Sequence, residues 1–462
     1  MPDSPPITRM STWAKSRQTF DVSSLIWPAT GSLTHPEQPD VITANRHRAK
    51  TGCPIRSQGS CARGGRLGTN VGYVMKLDSF GSPEMALLMA ASRGDPSREV
   101  VRRLMAGRLD WRELTRLAVE LHATPGIWQV VSSFPDLPAE ASALQSLAVF
   151  HDFRRYHIRS LTARVVRELS RAGIDVLVLK GAALLVGGVA RPTPRTMADI
   201  DLLVIRGSPE EAWRICRAEG WTLMDNTWTA ELYQRHHHLA PLLDPDGVTV
   251  GLELHRRLLP SVDRLGVDVD AMVARSRVVQ VSDVPVRVPS VEDLLFHACL
   301  HFAWSNKLGH GVWRAFADVH AILADATFDW DRFVAIPTSR RARQSCYWTL
   351  RLGRAVADLS VPDDVLRRLD PSSGGPFSSF LERHFAVQIT DPGAQEALAY
   401  RAKRWLWFAA MREPSSSSEA DEVWNEGGLR VPGEDNYPRE ARGALRAAVS
   451  SWGYFIRLIR RG

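Results

Sequence analysis

The most regular hydrophobic pattern of the chain lies near its middle. A mainly apolar, partly β-branched run at residues 174–179 ends in a lysine–glycine pair, and small residues dominate positions 182–190. Two later apolar runs, 199–204 and 248–255, carry acidic residues between their apolar positions. Short β-branched runs beside glycines and turn residues are typical of strands. The pattern predicts a strand, a glycine turn, a helix, a loop and a second strand, with a further strand at 248–255.

Local signals predict the elements around these strands. Residues 239–243 and 248–254 flank a strong turn signal and are predicted to form a hairpin. Further predicted elements are a long helix at 139–172, a helix at 209–219 with Ser208 as its N-cap, a short strand at 221–223, an edge hairpin at 278–288, and helices after Ser290, at 313–323 and at 340–359.

These elements predict an α/β (α+β) fold. A small mixed sheet with flanking helices would form the core, followed by an all-helical C-terminal domain. We expect an N-terminal helical region at 82–172, the catalytic core at 173–289 and the helical C-terminal domain at 290–412. The cleft between the core and the helical domain is the expected active site.

The two ends of the chain differ from this central part. Residues 1–81 are rich in Pro, Ser, Thr, Gly and Arg and have no apolar periodicity. They are expected to be disordered, or to precede a true start at Met75 or Met85. A flexible loop is expected at 413–437. A basic amphipathic helix is expected at 438–462, packed on its own domain or, alternatively, on a membrane or nucleic acid.

Two aspartates flank Ile200 at the start of the run 199–204. Alternate side chains of a strand share a face, so Asp199 and Asp201 point to one side and Ile200 to the other. Neighbouring carboxylates repel each other unless a cation lies between them, and Mg²⁺ or Mn²⁺ suits oxygen ligands at this spacing. Because Asp-x-Asp is a short pattern, a strand end with two solvated aspartates is the alternative interpretation.

Glu253 adds a third carboxylate. It lies between Leu252 and Leu254 in a predicted core strand, where a charge that is neither paired nor metal-bound is costly. Three carboxylates on neighbouring strands can hold two divalent ions, which clamp the attacking and leaving oxygens of a phosphoryl or nucleotidyl displacement. The three positions together predict a catalytic metal site.

The order of these motifs resembles that of a known family. Lys-Gly, Arg-x-x-x-Asp-x-Asp and Glu-Leu-His follow one another as in the nucleotidyltransferase superfamily of polymerase-β type, and most resemble its bacterial branch labelled uncharacterised nucleotidyltransferase family. The resemblance covers about residues 140–331 and implies a sheet of nucleotidyltransferase type. It rests on Leu179-Lys180-Gly181-Ala182-Ala183, residues 195–204, His237-His238-Leu239 and Glu253-Leu254-His255.

The resemblance implies a role for each matching residue. Asp199 and Asp201 would bind the catalytic Mg²⁺ (or Mn²⁺) ions. Glu253 would be the third carboxylate and the group that helps to deprotonate the attacking acceptor. Lys180 and the Gly181 backbone would meet the triphosphate.

The glycine turn departs from the wider superfamily pattern. That superfamily carries Gly-Ser after its first strand, whereas this chain has Lys180-Gly181-Ala182 and lacks the serine hydroxyl. Phosphate contacts would then come from Lys180, backbone N–H groups or arginines. Arg195 is interpreted either as neutralising phosphates or as tying the loop before Asp199 to the carboxylate cluster.

Several histidines accompany the carboxylates. Three consecutive side chains in an extended segment cannot all face one ion, so His236-His237-His238 is not expected to bind a metal. The resemblance implies that His238 points toward the carboxylates, and His238 is a candidate for the acceptor side. His255 would orient Glu253, contact the substrate on the acceptor side, or simply end the strand. Further candidates for the acceptor side, with ordinary polar helix positions as the alternative, are His297, His301 and Asp318.

Composition limits the protein class only weakly. The 462 residues carry a net charge of +7, which permits a nucleic-acid or phosphate-rich partner without requiring one. The five cysteines form no Cys-x-x-Cys pair, so neither a disulfide framework nor a cysteine zinc site is predicted, and a reducing cytoplasm is expected. No apolar run approaches the roughly 18 residues of a transmembrane helix.

The combined prediction is an enzyme that moves a nucleoside monophosphate from a nucleoside triphosphate, such as ATP, to an acceptor hydroxyl or phosphate and releases pyrophosphate. The acceptor remains open between a small molecule, a peptide, a protein and RNA. Three alternatives stand beside this prediction: a non-catalytic nucleotide-binding or regulatory protein of the same fold, a toxin-like enzyme that modifies tRNA, and phosphoryl transfer by the same metals.

Overall fold

The computed structural model describes residues 82–412, apart from gaps at 93–95, 108, 193, 225–232, 235, 260–261, 310–311, 371–374 and 391–399. These residues belong to one compact unit, Gly68–Gly462. The expectations for residues 1–81, 413–437 and 438–462 lie outside the described residues. The division of the remainder at 172 and 289 stays a prediction.

A five-stranded mixed sheet forms the centre of the fold. Its spatial order is β1-β2-β5-β4-β3. The central pair β2 and β5 is parallel, and the other neighbours are antiparallel. The α/β class and the mixed sheet are therefore confirmed. The strands are β1 (Asp175–Leu179), β2 (Asp199–Arg206), β3 (Thr222–Leu223), β4 (Leu242–Leu243) and β5 (Gly251–His255).

The register of β2 against β5 sets the position of the polar residues. Asp201 lies opposite Glu253, and Leu203 lies opposite His255. Because side chains alternate, Asp199, Asp201, Glu253 and His255 share one face of the sheet. The other face is apolar and buried, and it consists here of Ile200, Leu202, Leu252 and Leu254.

The long predicted helix packs directly against this sheet. After a short 3₁₀ turn it runs as α5 and stops just before Gly173, whose φ of 77° favours glycine. It contacts β1 and the helix after β2. The helices before the sheet are α1 (Pro83–Ala91), α2 (Arg98–Met105), α3 (Trp111–Glu120), α4 (Thr124–Val131) and α5 (Ser142–Arg171).

The small-residue segment after β1 is helical, as predicted. Helix α6 (Lys180–Ala183) continues into a π-helical turn, Leu184–Gly188. A Cβ atom on Gly188 would lie 2.5 Å from the carbonyl oxygen of Ala183, so this turn closes only around glycine. Helix α7 (Pro209–Ala218) follows β2, with the Ser208 hydroxyl accepting the backbone N–H of Glu211 as its cap.

After β5 the chain forms a small second sheet and the remaining helices. The predicted hairpin 278–288 forms β6 (Arg277–Val281) and β7 (Val284–Val288), but these two strands make a separate sheet and not an edge of the main one. None of the described helices is long and apolar enough to cross a membrane. The remaining helices are α8 (Val262–Leu265), α9 (Val269–Arg275), α10 (Val291–Leu300), α11 (Val312–Leu323), α12 (Trp330–Ala335), α13 (Arg340–Ala357), α14 (Asp363–Leu369), α15 (Pro376–Thr390) and α16 (Tyr400–Met411).

Candidate active site

A wide cleft separates the polar face of the sheet from helices α10 and α11. It has a volume of about 580 Å³. Pockets for drug-sized ligands are commonly about 300–1,000 Å³, so the cleft has room for one such ligand. Its sheet side is lined by Lys180, Gly181, Arg195, Asp199, Asp201, Glu253 and the histidine run 236–238.

Asp201 lies at the centre of a buried charge cluster. Its Oδ1 accepts from Lys180 Nζ at 2.6 Å and lies 3.0 Å from His255 Nε2. Glu253 Oε2 lies 3.5 Å from the same histidine nitrogen and 3.9 Å from Lys180 Nζ. His255 is completely buried. Lys180 and His255 therefore each lie beside both carboxylates and hold them in place.

Burial and charge act against each other on these carboxylates. Burial alone would raise the pKa of Asp201, but Lys180 and His255 outweigh it and hold that pKa well below its usual range. Burial would likewise raise the pKa of Glu253, but the hydrogen bond with His255 outweighs burial and lowers it. Burial and the neighbouring charge of Asp201 raise the pKa of Asp199. A further cation beside Asp199 would remove this penalty.

The residues present fit a hard divalent ion. Ligand atoms of Asp201, Glu253 and His255 all lie within 4.8 Å of one another. Asp199 lines the same cleft and makes no salt bridge to any residue in the described part of the chain. Carboxylate oxygens are the ligands that Mg²⁺ and Mn²⁺ prefer. The donor set and the excess negative charge at Asp199 are thus both compatible with such an ion.

Arg195 does not tie the loop before β2 to the carboxylate cluster, which was one of the two interpretations of it. Its Nε lies 2.9 Å from Asp318 Oδ1 on helix α11, so it ties the loop before β2 to that helix and not to the carboxylate cluster. Its guanidinium also lies against Gly181, where an added Cβ atom would be 1.6 Å from Nη2. Only glycine at position 181 leaves space for this arginine beside the turn.

Asp318 gives a prediction about the pH dependence of stability. Burial raises the pKa of Asp318 from 3.8 to about 6, although Arg195 and Arg314 oppose the rise. Because the pKa of Asp318 is higher in the folded protein than in the unfolded one, the protonated carboxyl favours the folded state. This contribution to stability is fully present below about pH 4 and is lost as the pH rises through about 6. An asparagine at this position cannot ionise, so the variant Asp318→Asn does not lose this stability as the pH rises. We expect the difference in free energy of unfolding, Asp318→Asn minus wild type, to increase by about 1–3 kcal/mol between about pH 4.5 and 7.5.

Urea denaturation of both proteins at the two pH values measures this difference. The exposed Asp283→Asn variant is the control, and its difference from wild type should change by less than about 0.5 kcal/mol over the same range. A difference for Asp318→Asn that is equal at the two pH values would contradict the prediction.

The backbone of the histidine run differs from the extended segment assumed for it. Residues 236 and 237 lie in a bend, and only His238 pairs with β5, through a bridge to His255. The ring of His236 has its centroid 4.1 Å from those of both His237 and His238. The argument from an extended segment is therefore wrong for this run. His238 does point to the carboxylates, with Nε2 at 3.9 Å from Glu253 Oε2.

The opposite wall of the cleft contains both predicted and unpredicted residues. His297, His301 and Asp318 line it, as their acceptor-side interpretation requires. Burial, with Lys180 as the next cause, lowers the pKa of His301 to about 3, so its ring is neutral. Arg314 also lines this wall, and the sequence analysis missed it. Its spacing of four residues from Asp318 on one helix was the available signal.

The mixed sheet and the carboxylates on its adjoining central strands, open to a cleft, are the features of a nucleotidyltransferase-type transferase. The family described as "Uncharacterised nucleotidyltransferase" matches residues 107–358, which is more than half of the chain. The chain belongs to this family. A search among curated proteins found no match.

Proposed function

We propose that this protein transfers a nucleoside monophosphate from a nucleoside triphosphate, ATP among the candidates, to an acceptor hydroxyl or phosphate, with release of pyrophosphate. The observation that supports this most strongly is the shared face of Asp199, Asp201 and Glu253 on the parallel pair β2 and β5. It opens into a cleft of about 580 Å³, which is the size of a pocket for one ligand such as a nucleotide.

The three carboxylates would hold Mg²⁺ or Mn²⁺. When bound, the metal supplies positive charge to the reacting phosphate oxygens and to the leaving pyrophosphate. His255 keeps Asp201 and Glu253 oriented, since its Nε2 lies within 3.5 Å of a carboxylate oxygen of each. Lys180 Nζ lies 2.6 Å from Asp201 Oδ1 and 3.9 Å from Glu253 Oε2, and so places a positive charge beside both carboxylates.

The transfer forms one bond and breaks one. The acceptor oxygen bonds to the α-phosphorus, and the bond from that phosphorus to the oxygen bridging to the β-phosphate breaks. Pyrophosphate leaves with the electron pair, and Glu253 helps to remove the proton of the acceptor. Arg195, held by Asp318, and Lys180 would neutralise the phosphates.

A non-catalytic nucleotide-binding role is the second candidate. The ion pair of Lys180 with Asp201, at 2.6 Å, already compensates one carboxylate without a metal. The turn serine of the wider superfamily is also replaced by Ala182. Nucleotide binding without turnover would favour this role.

Labelled nucleotides separate these functions. Full-length protein is incubated with Mg²⁺ or Mn²⁺ and each nucleoside triphosphate, labelled at the α- or the γ-phosphate, with a cell extract divided into small-molecule, protein and RNA fractions. We expect α-label to move to one fraction, which then identifies the acceptor class. Label in the RNA fraction would favour the tRNA-directed alternative. Transfer of γ-label, or binding with no transfer to any fraction, would contradict nucleotidyl transfer.

A further inference from the structure

We propose that His236, His237 and His238 form a second metal site, for a nitrogen-preferring divalent ion such as Zn²⁺, at the side of the cleft. The site adjoins the carboxylate cluster, because His238 Nε2 lies 3.9 Å from Glu253 Oε2, but it uses different ligands and does not depend on the proposed transfer reaction. All three residues line the cleft, and one ring nitrogen of each lies within 4.8 Å of those of the other two.

A bend in the backbone makes this arrangement possible. The backbone N–H of His238 donates to His236 Nδ1 at 3.5 Å, a weak hydrogen bond that an ion bound at this nitrogen would displace, and the run is bent at residues 236 and 237. The three ring centroids consequently lie 4.1 to 4.8 Å apart. Three side chains that an extended strand would send to alternate faces are here gathered on one side.

Hydrogen bonding leaves suitable lone pairs on two of the rings. His238 Nδ1 lies 2.7 Å from the carbonyl oxygen of Leu239, so this nitrogen carries the proton and Nε2 has the lone pair. Metal-binding histidines usually donate their second ring nitrogen to a carbonyl or carboxylate in this way. His237 Nδ1 is buried and has no hydrogen-bond partner among the described residues.

The donor set separates this site from the carboxylate site. Three histidine nitrogens with an open fourth position suit Zn²⁺, whereas Mg²⁺ prefers oxygen ligands. Zn–N bonds of about 2.0–2.1 Å in a tetrahedral site require nitrogens about 3.4 Å apart, so the rings would rotate inward on binding. Because the three residues line the cleft, the open position would be available to a water molecule or to an oxygen atom of a substrate.

Metal content of tag-free, full-length protein tests the proposal. The protein is dialysed against micromolar Zn²⁺ with excess Mg²⁺, and bound zinc is measured by elemental analysis. Co²⁺ replaces Zn²⁺ for absorption spectra, which distinguish four-coordinate nitrogen sites from thiolate sites. We expect one equivalent of zinc in wild type, and a loss of at least about tenfold in zinc affinity in His236→Gln/His237→Gln.

Two controls locate the ion. Asp199→Asn/Asp201→Asn should keep the zinc, and so should His151→Gln, which alters a half-buried histidine outside the run. If the double histidine variant does not fold, the single variant His236→Gln, with circular dichroism as the folding check, takes its place. Absence of zinc from wild type, unchanged affinity in the histidine variants, a thiolate spectrum, or loss of zinc only in the aspartate variant would each overturn the proposal. Label transfer is not a readout here, so failure of the proposed reaction remains distinguishable.

Discussion

Asp199→Asn/Asp201→Asn is expected to lower nucleotidyl transfer by at least about 10³-fold, since loss of even one preorganised electrostatic contact can cost about 10²–10³-fold. The substitution keeps the shape of both side chains and removes their charges. Asp201 lies opposite Glu253 in the register of β2 and β5, so the change removes two of the three carboxylates on one face. Glu253 alone would hold a divalent ion weakly.

The fold should survive this change because the two positions affect stability in opposite directions. Burial and Asp201 raise the pKa of Asp199, so removing its charge relieves an unfavourable interaction. Despite burial, Lys180 and His255 lower the pKa of Asp201, so removing that charge leaves buried basic groups without their partner. We expect the double variant to keep its circular dichroism spectrum while losing transfer of α-label.

Asp175→Asn is the matched control for this experiment. Asp175 lies on the neighbouring strand β1 and pairs with Arg206 at 2.7 Å, on the exposed side of the fold. Its replacement should leave transfer within about twofold of wild type, because exposed ion pairs are worth only about 0–1 kcal/mol. Transfer by the double variant within tenfold of wild type would show that the catalytic ions are held elsewhere.

Gly181→Ala should lower kcat/KM for the nucleoside triphosphate by about 10²-fold, the scale of a misplaced contact in an active site. The new Cβ atom would lie 1.6 Å from Arg195 Nη2 and 2.6 Å from its Cζ, so the arginine side chain must move away. Because the displaced group is the end of a flexible side chain, the free energy of unfolding should change little. The loss would arise from misplacement of the Arg195 charge.

A double-mutant cycle tests this explanation. If Gly181→Ala acts through Arg195, the variant Gly181→Ala/Arg195→Ala should be no less active than Arg195→Ala alone. Gly126→Ala is the control, because a Cβ atom there would meet Pro194 O at an ordinary 3.5 Å. Additive losses in the cycle would contradict the prediction and indicate a separate role for the Gly181 backbone.

Local sequence patterns were sufficient to predict the helices and strands and the shared face of the carboxylates. The apolar run at 174–179 and the Asp-x-Asp pattern specify strands because side-chain alternation is a property of the backbone itself. The same alternation places Asp199 and Asp201 on one face before any partner strand is known. Capping residues such as Ser208 and Ser290 mark helix starts for an equally local reason, since each accepts the backbone N–H three residues further along the chain.

Contacts between distant residues depended on the tertiary structure. The partner of Arg195 is Asp318, on a helix far along the chain, and nothing in the neighbourhood of either residue specifies the other. The ion pair of Lys180 with Asp201 likewise follows from the antiparallel pairing of β1 with β2, which sets Leu179 opposite Asp201.

The histidine run marks the limit of the sequence argument most clearly. Alternation predicts that three consecutive side chains diverge, and it holds only while the backbone remains extended. Here the backbone bends at residues 236 and 237, and His238 is fixed against β5. The sequence determined which chemical groups this protein carries and which strand face the carboxylates share. Where the chain turns, and therefore which groups meet across the cleft, is decided by packing between elements that are distant in sequence.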